Sequence, residues 1–171
     1  MRIVYLGPNS AVLDYLLSVE QEVSWATQPG YPADWLVSYG YRRILTPEQL
    51  SLYSHAVNLH ISLLPWNRGA DPNYWSWRDR TPKGVSIHYI DAGVDTGPIL
   101  AQQEVAFGPD ETLRTSYARL RGTVEALFAQ EWPRIRFAPE GTPQPAGGSY
   151  HHRTDLPELS DGWDTPCSAL G

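Results

Sequence analysis

Ala56-Val57-Asn58-Leu59-His60-Ile61, running straight into Ser62-Leu63-Leu64-Pro65, decides the fold. Side chains alternate along a strand, so Val57, Leu59 and Ile61 share one face while Asn58, His60 and Ser62 share the other. One face is core and the other polar, and Pro65 stops the strand. Upstream, Arg2 to Leu6 is a short β-branched and aromatic run, Gly7-Pro8-Asn9-Ser10 a turn and Ala11 to Val19 a helix. Val23 to Ala26 reads as a second strand, the segment from Gln28 to Pro32 as a loop and Trp35 to Tyr39 as a buried strand ended by Gly40. Pro47 to Tyr53 reads as a short helix with Thr46 as N-cap. Downstream, a Pro- and Trp-rich loop leads to a helix over Asn73 to Asp79 and then to strands Gly84 to Ile90 and Ile99 to Val105. Leu113, Tyr117, Leu120, Val124, Leu127 and Phe128 recur at helical spacing, which predicts an amphipathic cover helix over Thr112 to Gln130. Strands alternating with helices predict an α/β domain with a mostly parallel central sheet.

A chain of 171 residues suits one domain. The expected division is a domain over residues 1–137 and a Pro/Gly-rich extension over 138–171, draped on the surface or partly flexible. The formal net charge of −6 opposes binding to a polyanion, so nucleic acid is not expected as a partner. No apolar run approaches the ~20 residues that cross a bilayer, and the first residues enter a strand without a signal-peptide pattern, so a cytoplasmic protein is expected. The single cysteine, Cys167, leaves no disulfide framework or thiolate zinc site, and no H-E-x-x-H set suggests another metal. Gly7-Pro8-Asn9-Ser10 lacks the G-x-G-x-x-G pattern, which argues against a dinucleotide cofactor.

Asn58 and His60 lie roughly 6.5–7 Å apart along their strand, so an acyl group between them can receive an amide N–H and an imidazole N–H together. The alternative is a polar face with no ligand. The strand's carboxyl end is where open α/β sheets bind ligands. There the segment from Leu64 to Asn73 offers Asn67, Asp71 and Asn73 for hydroxyl-rich rings, Arg68 for a phosphate or carboxylate, and Trp66 for stacking on a sugar or base. Arg68 and Asp71 can equally well tie the loop together, and Trp75 and Trp77 can pack under the sheet. Gly84 to Gly97 puts Ser86 and His88 on one strand face and ends in a glycine-rich loop bearing Asp91 and Asp95, which taken alone are turn residues more often than catalysts. His151-His152-Arg153 in the extension reads as a solvated cluster in preference to an acceptor site.

Asn58-Leu-His60-Ile-Ser62-Leu63-Leu64-Pro65 with Gly69 beyond it, and Asp91-Ala-Gly93-Val-Asp95-Thr-Gly97-Pro98-Ile99, together resemble the paired signatures of the N10-formyltetrahydrofolate-dependent formyltransferase family. The resemblance covers roughly Arg2 to Gln130 and implies a Rossmann-like domain, a metal-independent formyl transfer and N10-formyltetrahydrofolate as donor. It implies that Asn58 and His60 hold the formyl oxygen as it becomes an oxyanion. Asp95 would then orient His60, a water or the attacking amine, with Ser62 and His88 in support. Gly40-Tyr41-Arg42-Arg43-Ile44-Leu45 resembles the family's pterin-binding segment, so Arg43, Ile44 and Leu45, with Asp91 and Gly93 of the glycine-rich loop, are the expected cofactor-binding residues. Trp66, Asn67, Arg68, Asp71 and His88 are the expected substrate-binding residues. The acceptor expected from the resemblance is the primary amine of a small metabolite, foremost a nucleotide-linked amino sugar. A formyltetrahydrofolate hydrolase or a folate- or acceptor-binding module is the alternative, and a homodimer is compatible with either. Fewer residues precede Asn58 than the family usually carries, so one or two β-α units are expected to be missing between Ala26 and Asp34, which narrows the sheet. The C-terminal barrel by which methionyl-tRNA formyltransferases hold tRNA is also missing from the pattern, so tRNA is not expected as a substrate.

Overall fold

The computed structural model describes residues 1–171. Its centre is a six-stranded sheet in the order β2-β1-β3-β4-β6-β7. The strands are β1 (Arg2–Leu6), β2 (Glu22–Ala26), β3 (Ala33–Tyr39), β4 (Tyr53–His60), β6 (Gly84–Tyr89) and β7 (Ile99–Glu104). The first four run parallel, while β6 is antiparallel to β4 and β7 to β6. A second, two-stranded sheet pairs β5 (Arg68–Gly69) in parallel with β8 (Tyr150–His151). The helices are α1 (Ala11–Val19), α2 (Pro47–Leu50), α3 (Pro72–Arg78) and α4 (Leu113–Ile135), and three 3-10 turns follow β8.

The sheet is buried on both faces. Ile3, Tyr5, Trp35, Val37, Val57, Leu59 and Ile87 pack against Leu13 and Leu16 of α1 and Leu120, Val124 and Phe128 of α4. On the other face Val4, Leu6, Leu36 and Ala56 meet Leu45 and Tyr53, under the segment that holds α2. Val57 and Leu59 therefore lie in the larger core, as the alternation in β4 requires, while Asn58 and His60 continue the opposite face beyond Ala56. Strand β4 is internal, between β3 and β6.

The largest departures from the expected boundaries lie at the junction of α2 with β4 and at the end of α4. The helix expected over Pro47 to Tyr53 closes at Leu50, and Tyr53 instead opens β4, opposite Ala33 of β3, because its ring is buried against Val4 and Leu36. Helix α4 runs past Gln130 to Ile135, through Pro133. A proline there forfeits one backbone hydrogen bond. Complete burial of Trp132 and Ile135, and the bond from Trp132 Nε1 to Glu20 Oε1 at 2.9 Å, offset it. Residues 27–32 join β2 to β3 with no intervening helix, where β-α units were expected to be missing.

Beyond α4 the chain folds back over the sheet's carboxyl edge. Thr142 bridges Ile99 with two hydrogen bonds of 2.8 Å, and Arg68 and Ala70 donate to the carbonyls of Ser149 and His151. Cys167 and Leu170 end the chain in a third apolar cluster with Tyr74 and Leu113.

Candidate active site

A cleft of about 710 Å³ opens beyond the carboxyl ends of β3 and β4, where an open α/β sheet exposes strand ends to ligands. Asn58, His60, His88 and Asp95 meet on its wall. The β4–β6 register sets Asn58 directly opposite His88 and His60 opposite Ser86, so two strands supply polar groups to one face. The loop between β6 and β7 brings Asp95, which has a left-handed backbone (φ 53).

Asp95 is the hub. Its Oδ2 accepts the Gly69 amide at 2.9 Å and lies 3.7 Å from His60 Nδ1. Its Oδ1 lies 3.4 Å from His88 Nε2 and 3.5 Å from Asn58 Nδ2. Burial by itself would raise this carboxyl, but the facing His60 and His88 imidazoles and the Gly69 amide outweigh burial and hold it well below the usual carboxylate range. Asp95 is therefore an anion at neutral pH.

Hydrogen-bond partners assign the imidazole protons. His60 Nε2 is 2.9 Å from the Asn67 carbonyl, which can only accept, so Nε2 carries a hydrogen and Nδ1, on the Asp95 side, is the nitrogen free to gain or release a proton. His88 Nδ1 donates to the Tyr89 carbonyl at 2.8 Å, which leaves Nε2 turned to Asn58 and Asp95. The Asn58 amide touches His88 at 3.4 Å and Asp95 at 3.5 Å, long contacts that leave its N–H groups able to serve a third acceptor.

The expected cofactor residues Arg43, Ile44, Leu45, Asp91 and Gly93 all line the cleft. Leu45 is rooted in the smaller core while Ile44 stands 75% exposed, a large apolar side chain that a flat ring would cover. Asp91 Oδ1 accepts the Gly93 amide at 3.0 Å and the Thr96 hydroxyl at 2.6 Å and so shapes the loop. A Cβ at Gly97 would run into the Tyr89 carbonyl oxygen, so this glycine serves the chain's own close approach to β6, where a ligand contact had been expected of the loop.

The expected substrate residues divide. Asp71 lines the cleft and makes no side-chain hydrogen bond or ion pair. His88 lines the cleft but is 1% exposed, and its ring bonds the Tyr89 carbonyl and faces Asn58 and Asp95. Asn67 is fully buried, donates from Nδ2 to Thr81 and accepts from Ser149, and belongs to the loop's own scaffold. Arg68 spends its guanidinium on Gln144, and Trp66 lies off the cleft lining. For Asn67 and Arg68 the cause is shared, since the folded-back extension supplies Ser149 and Gln144 as partners. Ser62 bonds the Trp66 carbonyl and Ser86 the Ser62 carbonyl, both fixing the strand exit.

The sequence reading missed the far wall of the cleft. Tyr150, His152, Arg153 and Trp163 of the extension and Tyr117 and Arg121 of α4 line it. Arg153, like Arg42 and Arg43, lies on the lining and forms no ion pair. The only signal was the His-His-Arg run, since nothing in the extension's composition says which way it folds. No group of three or more His, Cys, Asp or Glu is placed to hold a metal ion, and no helix is long and apolar enough to cross a membrane.

A family model described as "Formyl transferase" matches residues 17–130, two thirds of the chain, including Asn58, His60 and Asp95. The chain belongs to the formyl transferase family. Among curated members, the methionyl-tRNA formyltransferase of Myxococcus xanthus (strain DK1622) is 41% identical over 123 residues, covering 69% of this chain and 39% of that protein. That of Roseobacter denitrificans (strain ATCC 33942 / OCh 114) is 33% identical over 153 residues, covering 88% of this chain and 50% of that protein. The chain thus spans half or less of the length of these curated relatives. Among solved structures, the formyltransferase PseJ from Anoxybacillus kamchatkensis, in complex with UDP-4,6-dideoxy-4-formamido-L-AltNAc and tetrahydrofolate, is 47% identical with a TM-score of 0.90. The match covers 99% of this chain and 97% of that one, so the short N-terminal half is shared with a formyltransferase of nearly the same extent. The N-formyltransferase from Helicobacter canadensis, with a TM-score of 0.82 at 21% identity, shares the fold.

Proposed function

We propose that this formyl transferase family member moves a formyl group from N10-formyltetrahydrofolate to the amine of a nucleotide-linked amino sugar. The observation that carries the reading is the near end-to-end match to a formyltransferase crystallised with a UDP-linked formamido sugar and tetrahydrofolate. The cleft fits both partners by its own chemistry. Ile44 and the backbone of residues 41–45 offer an apolar ledge for the pterin, and Asp91 and Gly93 face it from the loop. Arg153 supplies an unpaired cation for a diphosphate, Tyr150 and Trp163 supply aromatic faces for a base, and Asp71 a free carboxylate for sugar hydroxyls or the amine.

The acceptor nitrogen forms a bond to the formyl carbon while the bond from that carbon to N10 breaks. Negative charge grows on the formyl oxygen and positive charge on the attacking nitrogen. Asn58 donates an amide N–H to that oxygen. His60 Nδ1, backed by the Asp95 carboxylate, takes the proton that the attacking nitrogen loses and returns it to N10 as it leaves. His88 and the Gly69 amide keep Asp95 ionised and in place.

Purified protein with N10-formyltetrahydrofolate and a panel of UDP- and dTDP-linked amino sugars, glycinamide ribonucleotide, hydroxyornithine and charged initiator tRNA tests the reading. Formylation of a sugar nucleotide is expected. Transfer to tRNA alone would favour the activity of the curated relatives, which the 41% identity over 123 residues also makes worth testing. Release of formate without an acceptor would mark a hydrolase.

A further inference from the structure

We propose that Gln144, in the segment after α4, is a positioning residue for Asp95 and so makes the C-terminal extension part of the catalytic apparatus. The proposal rests on the formyl-transfer reading above for what Asp95 does, but not for the geometry. Gln144 Nε2 donates to the Asp95 carbonyl at 2.8 Å and to the Gly97 carbonyl at 2.9 Å. Its Oε1 accepts from Arg68 Nε at 3.1 Å and from Arg68 Nη2 at 2.9 Å. The amide orientation is fixed chemically, because both carbonyls can only accept and the guanidinium can only donate. All the hydrogen-bonding capacity of this half-buried side chain on those two sides is used.

The clamp joins the two backbone pieces that define the Asp95 carboxylate. One is the left-handed turn at Asp95, a conformation that a non-glycine residue holds only when its surroundings impose it. The other is the β5 backbone, where Gly69, next to Arg68, donates its amide to Asp95 Oδ2 at 2.9 Å. Gln144 therefore fixes both the peptide that carries the carboxylate and the strand that grips it. The extension has its own anchors without Gln144: the Thr142–Ile99 bridge, Ser149 bonded to Asn67, and the β5–β8 pair. Removing the clamp should thus leave the extension docked and loosen only the Asp95 turn.

The test compares Gln144→Glu and Gln144→Ala with the native chain. The glutamate keeps, and by charge strengthens, the bond to Arg68, but it sets a carboxylate against two carbonyls and cannot donate to them. If Gln144 only tethers the extension, both variants should lower the melting temperature but leave the kcat of the folded protein at the native value. Positioning of Asp95 predicts instead that both variants lose roughly tenfold or more in kcat, with KM for donor and acceptor changed by less than about threefold, in line with groups that orient a reacting side chain. Hydrogen–deuterium exchange supplies a readout without turnover: the segment from Asp91 to Pro98 should exchange faster in both variants, while 145–151 stays as protected as in the native chain. Native kcat in Gln144→Glu, or unchanged exchange across 91–98, overturns the proposal. Should the native protein formylate no amine, the functional reading fails while the exchange comparison still decides the clamp.

Discussion

Asn58 and His88 stand side by side across the antiparallel β4–β6 pair, with Asn58 Nδ2 3.4 Å from His88 Nε2. His88 Nδ1 is bound to the Tyr89 carbonyl, which keeps Nε2 turned to Asn58 and Asp95, and Asp95 Oδ1, a carboxylate oxygen that can only accept, lies 3.5 Å from Asn58 Nδ2 and so turns the amide's N–H groups this way. Asn58 is thereby held with donors, not its carbonyl, on the side where the formyl oxygen is to gather charge. His88→Ala should lower kcat roughly tenfold to a hundredfold with little change in donor KM, as loss of an orienting partner does. Steady-state kinetics check this, and a rise in acceptor KM alone would return His88 to the substrate-binding group.

Removing either acting group should cost more. Asn58→Ala and His60→Ala are each expected to lower kcat by about a hundredfold or more, since each meets charge that develops only in the transition state. Binding of a stable folate analogue, measured by calorimetry, should stay close to native in both. Near-normal turnover by either variant would remove it from the mechanism.

The depressed Asp95 carboxyl has a consequence for stability. Its ionised form is favoured in the folded state over the unfolded chain, so it adds stability that is fully present above the unfolded value of about 4 and is lost as pH falls through its lower folded value. The difference in unfolding free energy between the native chain and Asp95→Asn should be flat from about pH 5 upward and shrink below about pH 4. Chemical denaturation across that range measures it. An acid limb of activity above about pH 5 must then belong to a group other than Asp95.

Gly69 has φ +88, and a Cβ there would meet the His151 carbonyl oxygen. Gly69→Ala should therefore disturb the β5–β8 pair and the amide that grips Asp95, at a cost of about 1–2 kcal/mol from the left-handed backbone alone. A melting temperature lower by roughly 2–8 °C is expected, together with loss of activity beyond the unfolded fraction.

Donor and acceptor should separate by wall. Arg153→Ala is expected to raise the KM of a sugar-nucleotide acceptor about tenfold, the scale of one charge-assisted hydrogen bond, and to leave donor KM unchanged. Ile44→Ser should do the reverse, weakening donor binding by about tenfold through lost apolar cover. Equal effects of both variants on both substrates would contradict the division of the cleft.

The sequence by itself determined the sheet and the central part of the site. Period-two alternation in the run from Ala56 to Ile61 placed Val57 and Leu59 in the core and Asn58 and His60 on the opposite face, and helical spacing gave most of α4. Those are local rules, set by the geometry of a strand or helix, and they act within a few residues. Asn58, His60 and Asp95 were legible for the same reason, lying in short segments whose order resembles a known family.

Tertiary structure alone decided the rest. Arg68 and Asn67 looked free because their partners, Gln144 and Ser149, come from 76 and 82 residues away in sequence, and only the β4–β6 register sets His88 opposite Asn58. Proline 133 failed to end α4 because burial of Trp132 and Ile135 outweighed the lost backbone bond. The Pro- and Gly-rich extension carries no periodicity, since it is held by individual hydrogen bonds to loops and not by a repeating apolar face. Such bonds between distant segments depend on where the whole chain has already gone, so no local pattern records that 142–163 closes the cleft.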